Sequence, residues 1–252
     1  MMIEMRKRTP RGISVVIPTY NERRNIKILI PMIGSFLNNV CPYEIIVVDD
    51  GSIDGTYRKV LEIANEKTKI LHYENNRGKG YALLYGFKFS MGNIILFFDG
   101  DLDIHPEQIR LLLKTIERPE IDGVITSKWH PQSRISATFI RKILSRMFNF
   151  LVQLLTGIKL RDTQTGAKAF KRHALERIIH SLTIKRYAFD VELLLAMITN
   201  GYRIEEIPAL YRIKLTNRFR FKEIVKMFID LLAITYRHRI KKQYMRNVSW
   251  SR

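Results

Sequence analysis

The chain has 252 residues, 46% of them hydrophobic and 27% charged, the balance of an ordinary folded protein with room for one large domain or two small ones. A single cysteine, Cys41, excludes an internal disulfide, and no Cys/His cluster suggests zinc. The formal net charge of +19 is one-sided: residues 1–126 hold 17 Lys/Arg against 16 Asp/Glu, and residues 127–252 hold 26 against 8. Such asymmetry points to an anionic partner, whether nucleic acid, a membrane surface or a phosphorylated substrate.

Residues 1–12 read as a basic tail carrying Arg6, Lys7, Arg8 and Arg11. The apolar run at 13–17 is too short for a signal peptide, and no uncharged stretch is long enough for a spanning helix. These features place the chain in the cytosol or on the cytosolic side of a membrane. The run at 13–17 is β-branched and reads as a strand ending in Pro-Thr-Tyr-Asn-Glu (18–22). Ile26, Ile30, Ile33 and Leu37 then recur at helical spacing. Residues 44–48 form a second buried strand that ends in Asp49-Asp50-Gly51-Ser52, and Asp54-Gly-Thr opens the next helix. A third short strand at 70–73 leads into Asn-Arg-Gly-Lys-Gly (76–80), which resembles an anion-binding loop or an ordinary helix-entry turn, and a helix is expected over 81–90.

The next strand, 94–98, is apolar throughout, as a strand buried on both faces should be. It stops in three carboxylates at alternating positions, Asp99, Asp101 and Asp103, with Gly100 allowing a tight turn or close approach to a ligand. Carboxylates at the C-terminal end of a parallel strand stand where open α/β sheets bind ligands. Their repulsion favours a hard cation over a merely solvated acidic turn. Strands alternating with helices predict right-handed crossovers and an α/β fold with a mostly parallel sheet. Neither the dinucleotide glycine fingerprint nor a P-loop is present.

Past Pro106 an amphipathic helix (Ile109, Leu112, Leu113, Ile116) and a strand at 123–127 follow. Residues 134–159 are basic in their first half and apolar in their second. That pattern suits a membrane-interface helix, or a helix packed across the sheet or against a partner in a homo-oligomer. Arg141 and Ser145, four apart, share one face of it. Residues 161–170 are polar, then strand-like; a helix starts at 189, with Asp190 placed to favour its N-terminus by capping and dipole. A last strand is expected over 204–211, and residues 219–252 form a basic amphipathic tail.

Taken in order, Val-Ile-Pro-Thr-Tyr-Asn-Glu (16–22), Val-Asp-Asp-Gly-Ser-Ile-Asp-Gly-Thr (48–56), Asn-Arg-Gly-Lys-Gly (76–80) and Asp-Gly-Asp (99–101) resemble the family-two glycosyltransferases of GT-A fold. Arg-Asp-Thr-Gln-Thr-Gly (161–166) and Phe-Asp-Val-Glu-Leu-Leu (189–194) are similar to the branch that glycosylates dolichyl and other polyprenyl phosphates. The likeness covers 13–218. It implies a Rossmann-like nucleotide-binding half and inverting transfer of a hexose, from UDP-glucose or GDP-mannose, to a polyprenyl phosphate at an anionic membrane surface.

By the same resemblance, Pro18, Tyr20, Glu22 and Asp50 hold the donor's base and ribose, Arg77 and Lys79 lie near the nucleotide, and Asp99 with Gly100 meets the ribose. Asp101 and Asp103, with Asp99 beside them, bind Mg²⁺ or Mn²⁺ on the diphosphate; many relatives have Gln where Asp103 stands. Arg141 and Ser145 match acceptor-phosphate positions, and Arg212 matches a diphosphate-contacting arginine. The Gly-x-Ser-Lys that usually follows is replaced by Leu-Thr-Asn-Arg (215–218). Should a general base be used, Asp162 and Asp190 are the candidates. A family-two enzyme with a polysaccharide or glycolipid acceptor is the alternative, although the Gln-x-x-Arg-Trp of processive synthases is missing. A nucleic-acid-binding protein would explain the charge but not the acidic strand ends, and no signature of one occurs.

Overall fold

The computed structural model describes residues 12–133, 139–210 and 221–245, of which 139–141 and 221–224 in backbone only. Seven strands form one sheet in the order β3-β2-β1-β4-β6-β5-β7. They are β1 (Ile13–Thr19), β2 (Tyr43–Asp50), β3 (Thr68–Tyr73), β4 (Ile94–Phe98), β5 (Gly123–Ser127), β6 (Ala167–Lys171) and β7 (Ile204–Pro208). The pairs β1–β2, β1–β4, β2–β3 and β5–β7 are parallel, as the alternation of strands and helices predicts. β6 runs antiparallel to both β4 and β5, which periodicity could not reveal. This reversal brings the loop before β6 to the same edge as the C-terminal ends of the parallel strands.

Both sheet faces are covered, so each strand sends alternate residues into different cores. Val16, Ile46, Val48, Phe97 and Phe170 face one core. It is closed by α3 (Lys79–Phe89), α5 (Phe139–Thr156), α6 (Arg172–Ile178), α7 (Phe189–Thr199) and α8 (Phe221–Arg239). Val15, Ile17, Val47, Leu96 and Phe98 face the other, against α1 (Arg23–Leu37), α2 (Thr56–Ile63) and α4 (Gln108–Ile116). Close packing here depends on Gly86: a Cβ there would stand 2.4 Å from Val16 Cγ1, so α3 lies directly on β1.

Three expectations change. α3 begins at Lys79 rather than 81, which puts that lysine in the first turn. β7 stops at Pro208 rather than 211, because proline cannot extend the ladder. The C-terminal segment, expected as a basic amphipathic tail, also packs inward: Leu231, Ile234 and Tyr244 are buried in the first core. The short α6 escaped the sequence reading because seven residues carry too little periodicity. No described helix is long and apolar enough to cross a membrane.

Candidate active site

The ends of β2, β1 and β4 lie side by side, and a cavity of about 510 Å³ opens over them. Pro18, Tyr20, Glu22, Asp50, Lys79, Asp99, Gly100, Asp101 and Asp190 all line it, so nine residues singled out from the sequence converge there. The loops after β1 and β2 are laced together by backbone donors. Asn21 N–H donates to Ser52 Oγ (2.8 Å), Glu22 N–H to Thr56 Oγ1 (2.9 Å) and Arg23 N–H to Asp54 Oδ2 (3.1 Å). Asn21 sits at φ 57°, left-handed backbone that asparagine tolerates. The polar motif residues between Tyr20 and Thr56 therefore shape the rim that presents Tyr20 and Glu22.

Asp50 accepts the Arg77 N–H at 2.7 Å and the Gly78 N–H at 2.9 Å. The loop at 76–80 thus already holds a carboxylate of the chain itself, not a free anion site. Its glycines serve packing: a Cβ on Gly78 (φ 98°) would stand 2.5 Å from the Lys185 carbonyl, and one on Gly80 would stand 2.7 Å from the Phe189 ring. The Arg77 guanidinium bonds Tyr81 Oη at 2.6 Å and lies over the Tyr73 and Tyr81 rings, outside the cavity lining.

Lys79 is the central cation. Its Nζ lies 2.8 Å from Asp99 Oδ2 and 3.3 Å from Asp190 Oδ2. Asp190 Oδ1 in turn pairs with Lys168 Nζ at 2.9 Å, and Lys168 is 1% exposed. Burial opposes the Lys79 charge, but Asp190 and Asp99 outweigh it and raise the ammonium above the usual lysine range. Burial alone would also raise the Asp190 carboxyl, yet Lys168 and then Lys79 hold it below the ordinary range. Asp99 goes the other way: burial pushes it up and Asp101 adds to this, against the pull of the lysines. Asp190 makes no side-chain cap on α7, which starts from Ala188. Its carboxylate is committed to the two lysines.

Asp99, Asp101 and Asp103 do not close into one metal set; among the described residues no group of three His, Cys, Asp or Glu is placed to hold a metal. Leu102 takes a left-handed φ of 62°, and the Asp103 N–H turns back to Asp101 Oδ1 at 3.0 Å, so Asp103 falls outside the cavity lining. The remaining pair, Asp99 and Asp101, fits a Mg²⁺ or Mn²⁺ ion, which takes one or two protein carboxylates and completes its shell from phosphates and water. Burial, and after it the neighbouring Asp101, lifts the Asp99 carboxyl, and a divalent ion would offset both.

Asp162 is a loop staple. It accepts the Lys128 N–H (2.9 Å) and the Gln164 N–H (3.2 Å), and burial, countered by Lys128, raises its carboxyl. It does not line the cavity, and neither does Ser145 on α5. The Arg141 side chain and all of Arg212 lie outside the described residues. Thr19, Asn76, Gly78, Gln164, Thr165, Gly166, Arg186, Tyr187 and Met227 complete the lining; the sequence reading assigned a role to none of them, nor to Lys168. A lysine between two alanines of an apolar strand was the available signal for Lys168. Gly166 fits because a Cβ there would stand 2.9 Å from Asp99 Oδ2.

Glycosyltransferase AglD of Haloferax volcanii is 32% identical over 201 residues, 78% of this chain; the chain spans about a third (32%) of that relative's length. Polyprenol monophosphomannose synthase of Mycolicibacterium smegmatis is 31% identical, covering 78% of this chain and 76% of its own. Dolichyl-phosphate beta-glucosyltransferase ALG5D of Trichomonas vaginalis is 29% identical, covering 90% and 74%. Among solved structures, glucosyl-3-phosphoglycerate synthase of Mycobacterium tuberculosis in complex with Mn²⁺, UDP-glucose and phosphoglyceric acid superposes with TM-score 0.65. That match has 22% identity and covers 94% of this chain and 81% of the other, a likeness of GT-A fold. Residues 14–179 match the family model described as glycosyl transferase family 2, so the chain belongs to that family and is a glycosyltransferase.

Proposed function

We propose that the enzyme moves one hexose from a nucleoside-diphosphate sugar to a polyprenyl monophosphate, with inversion at the anomeric carbon and a divalent ion on the donor diphosphate. The observation that carries the lipid acceptor is the double role of α8. Met227 on this helix lines the cavity, while Val225, Ile229, Leu232 and Tyr236 on it are exposed. α5 packs beside it, with Arg239 Nη2 donating to the Leu154 carbonyl at 3.1 Å. α5 exposes its own stripe, Ile143, Met147, Phe150 and Leu154. Exposed apolar stripes on two helices packed together, with Lys142, Arg146, Lys226 and Lys241 close to them in the sequence, suit an anionic bilayer that carries the acceptor. Basic groups near such a surface contribute about 1 kcal/mol each.

Asp99 and Asp101 would hold the ion, which supplies charge neutralisation for the departing diphosphate. Lys79, which lines the cavity, would meet the same developing charge. Tyr20, Glu22 and Asp50 form the wall for the nucleoside. A phosphomonoester with its second pKa near 6 is already ionised at neutral pH, so one of its oxygens forms the new bond to the anomeric carbon as the bond to the diphosphate breaks. No proton must be removed. Asp190, bound by two ammonium groups and held below the ordinary carboxyl range, is a poor proton acceptor in any case. The test is incubation with Mn²⁺, a polyprenyl phosphate and labelled UDP-glucose or GDP-mannose in separate reactions. A lipid-extractable labelled product from one donor is expected; none from any common donor removes the proposal.

A further inference from the structure

Four charges alternate from the cavity into the interior: Asp99, Lys79, Asp190 and Lys168. The first three stand at a strand end or a helix start and line the cavity; Lys168 does neither. Lys168 projects from β6, between Phe97 of β4 and Ile125 of β5 in the register, into the core beneath α7. Its Nζ reaches Asp190 Oδ1 at 2.9 Å and also the Thr165 carbonyl. Burying an ammonium is costly, and a well-packed apolar side chain is often at least as stabilising as a buried ion pair. Stability is therefore a weak reason for a lysine here. Geometry offers a stronger one. Asp190 has two oxygens: Lys168 takes Oδ1, which turns Oδ2 toward Lys79 at 3.3 Å. Lys79 is thus held from behind, with its other side on Asp99 and the cavity. The same ammonium ties down Thr165, another residue of the cavity wall.

We propose that Lys168 is a positioning residue for glycosyl transfer, fixing the Asp190 carboxylate and through it the ammonium of Lys79 where the donor's diphosphate lies. This rests on the reading of Lys79 as a diphosphate contact. Lys168 itself touches no substrate. The effect that passes through Asp190 and Lys79 disappears once Lys79 is removed, which separates it from the support that Lys168 gives the Thr165 carbonyl.

The experiment is a double-mutant cycle on the full chain with Lys168→Met, Lys79→Met and the pair together. Two readouts are taken: the Kd for UDP and for GDP with Mn²⁺ by calorimetry, and kcat with the donor that supports turnover. An ångström of displacement at a reacting group costs about 100-fold, so each single variant is expected to lose about 10- to 100-fold in nucleotide affinity or kcat. The double variant is expected to be no worse than Lys79→Met alone. Multiplying losses, or a folded Lys168→Met with wild-type affinity and kcat, would overturn the proposal. Should Lys168→Met not fold, Asp190→Asn replaces it in the cycle; non-additivity with Lys79→Met is again expected, and multiplying losses again overturn it. Calorimetry with UDP and GDP reports even if the polyprenyl acceptor proves wrong, so the two failures stay distinct.

Discussion

Tyr244 Oη donates to Glu192 Oε1 at 2.5 Å across the buried end of α7. Glu192 is fully buried and also accepts the Thr183 N–H, the Thr183 hydroxyl and the Ile184 N–H at 2.7–2.8 Å. Arg237 of α8 stands 3.5 Å away. Glu192 therefore fastens the segment after α8 to the same helix whose Asp190, two residues earlier, faces the cavity. Tyr244→Phe deletes one hydrogen bond to a charged, buried acceptor, a loss of about 1.5–3 kcal/mol. Urea unfolding is expected to show a lower midpoint with an unchanged slope. An unshifted midpoint would mean the latch contributes nothing.

Asp101→Asn keeps the shape of the β4 turn and removes the charge a divalent ion needs. Turnover is expected to fall to background while the circular dichroism spectrum stays that of the wild type. Full turnover would place the ion elsewhere.

Gly166→Ala puts a methyl group 2.9 Å from Asp99 Oδ2 and 3.2 Å from Asp99 Cβ. The carboxylate must shift, and a loss of about tenfold or more in kcat is expected, with overpacking costing about 1–3 kcal/mol of stability. Steady-state kinetics beside thermal unfolding checks both; wild-type kcat would show that Asp99 can move without consequence.

Glu44 pins the N-terminal ends of three strands. It accepts Ser14 Oγ (2.7 Å), the Met91 N–H (2.6 Å) and Lys69 Nζ (2.7 Å). Burial pushes its carboxyl up, but Lys69, Ser14 and Met91 outweigh this and leave it below its ordinary 4.5. A depressed folded pKa means stability present above the unfolded value and lost as pH falls through the folded one. Below about pH 4.5 the wild type is expected to lose stability more steeply than Glu44→Gln, measured by urea unfolding across pH. Parallel curves would rule out Glu44 as a source of acid sensitivity.

Phe150 and Ile229 are 63% and 58% exposed on α5 and α8. Burying one such side chain in an apolar phase is worth about 1.5–3 kcal/mol. Phe150→Glu with Ile229→Glu is expected to abolish flotation on anionic vesicles while the Kd for UDP or GDP stays within about twofold. Undiminished flotation would show that these stripes do not meet the bilayer.

The sequence by itself determined the strands, most of the helices and half of the cavity wall. Apolar runs such as 94–98 specify strands buried on both faces, and the polar residues that end them fall at one edge because parallel strands share a direction. Asp50, Asp99 and Asp101 were legible for that reason. Tertiary structure decided the rest. Only the reversed insertion of β6 brings Gly166 against Asp99 and sends Lys168 beneath α7. Only the packing of α7 on α3 turns Asp190 from a helix-start acid into the link between two lysines separated by 89 positions in the chain. Likewise, Asp103 leaves the acidic cluster through a left-handed turn at Leu102, a backbone choice that alternating carboxylates do not encode. Local pattern fixes which way a side chain faces; which distant charge it meets depends on strand order and direction.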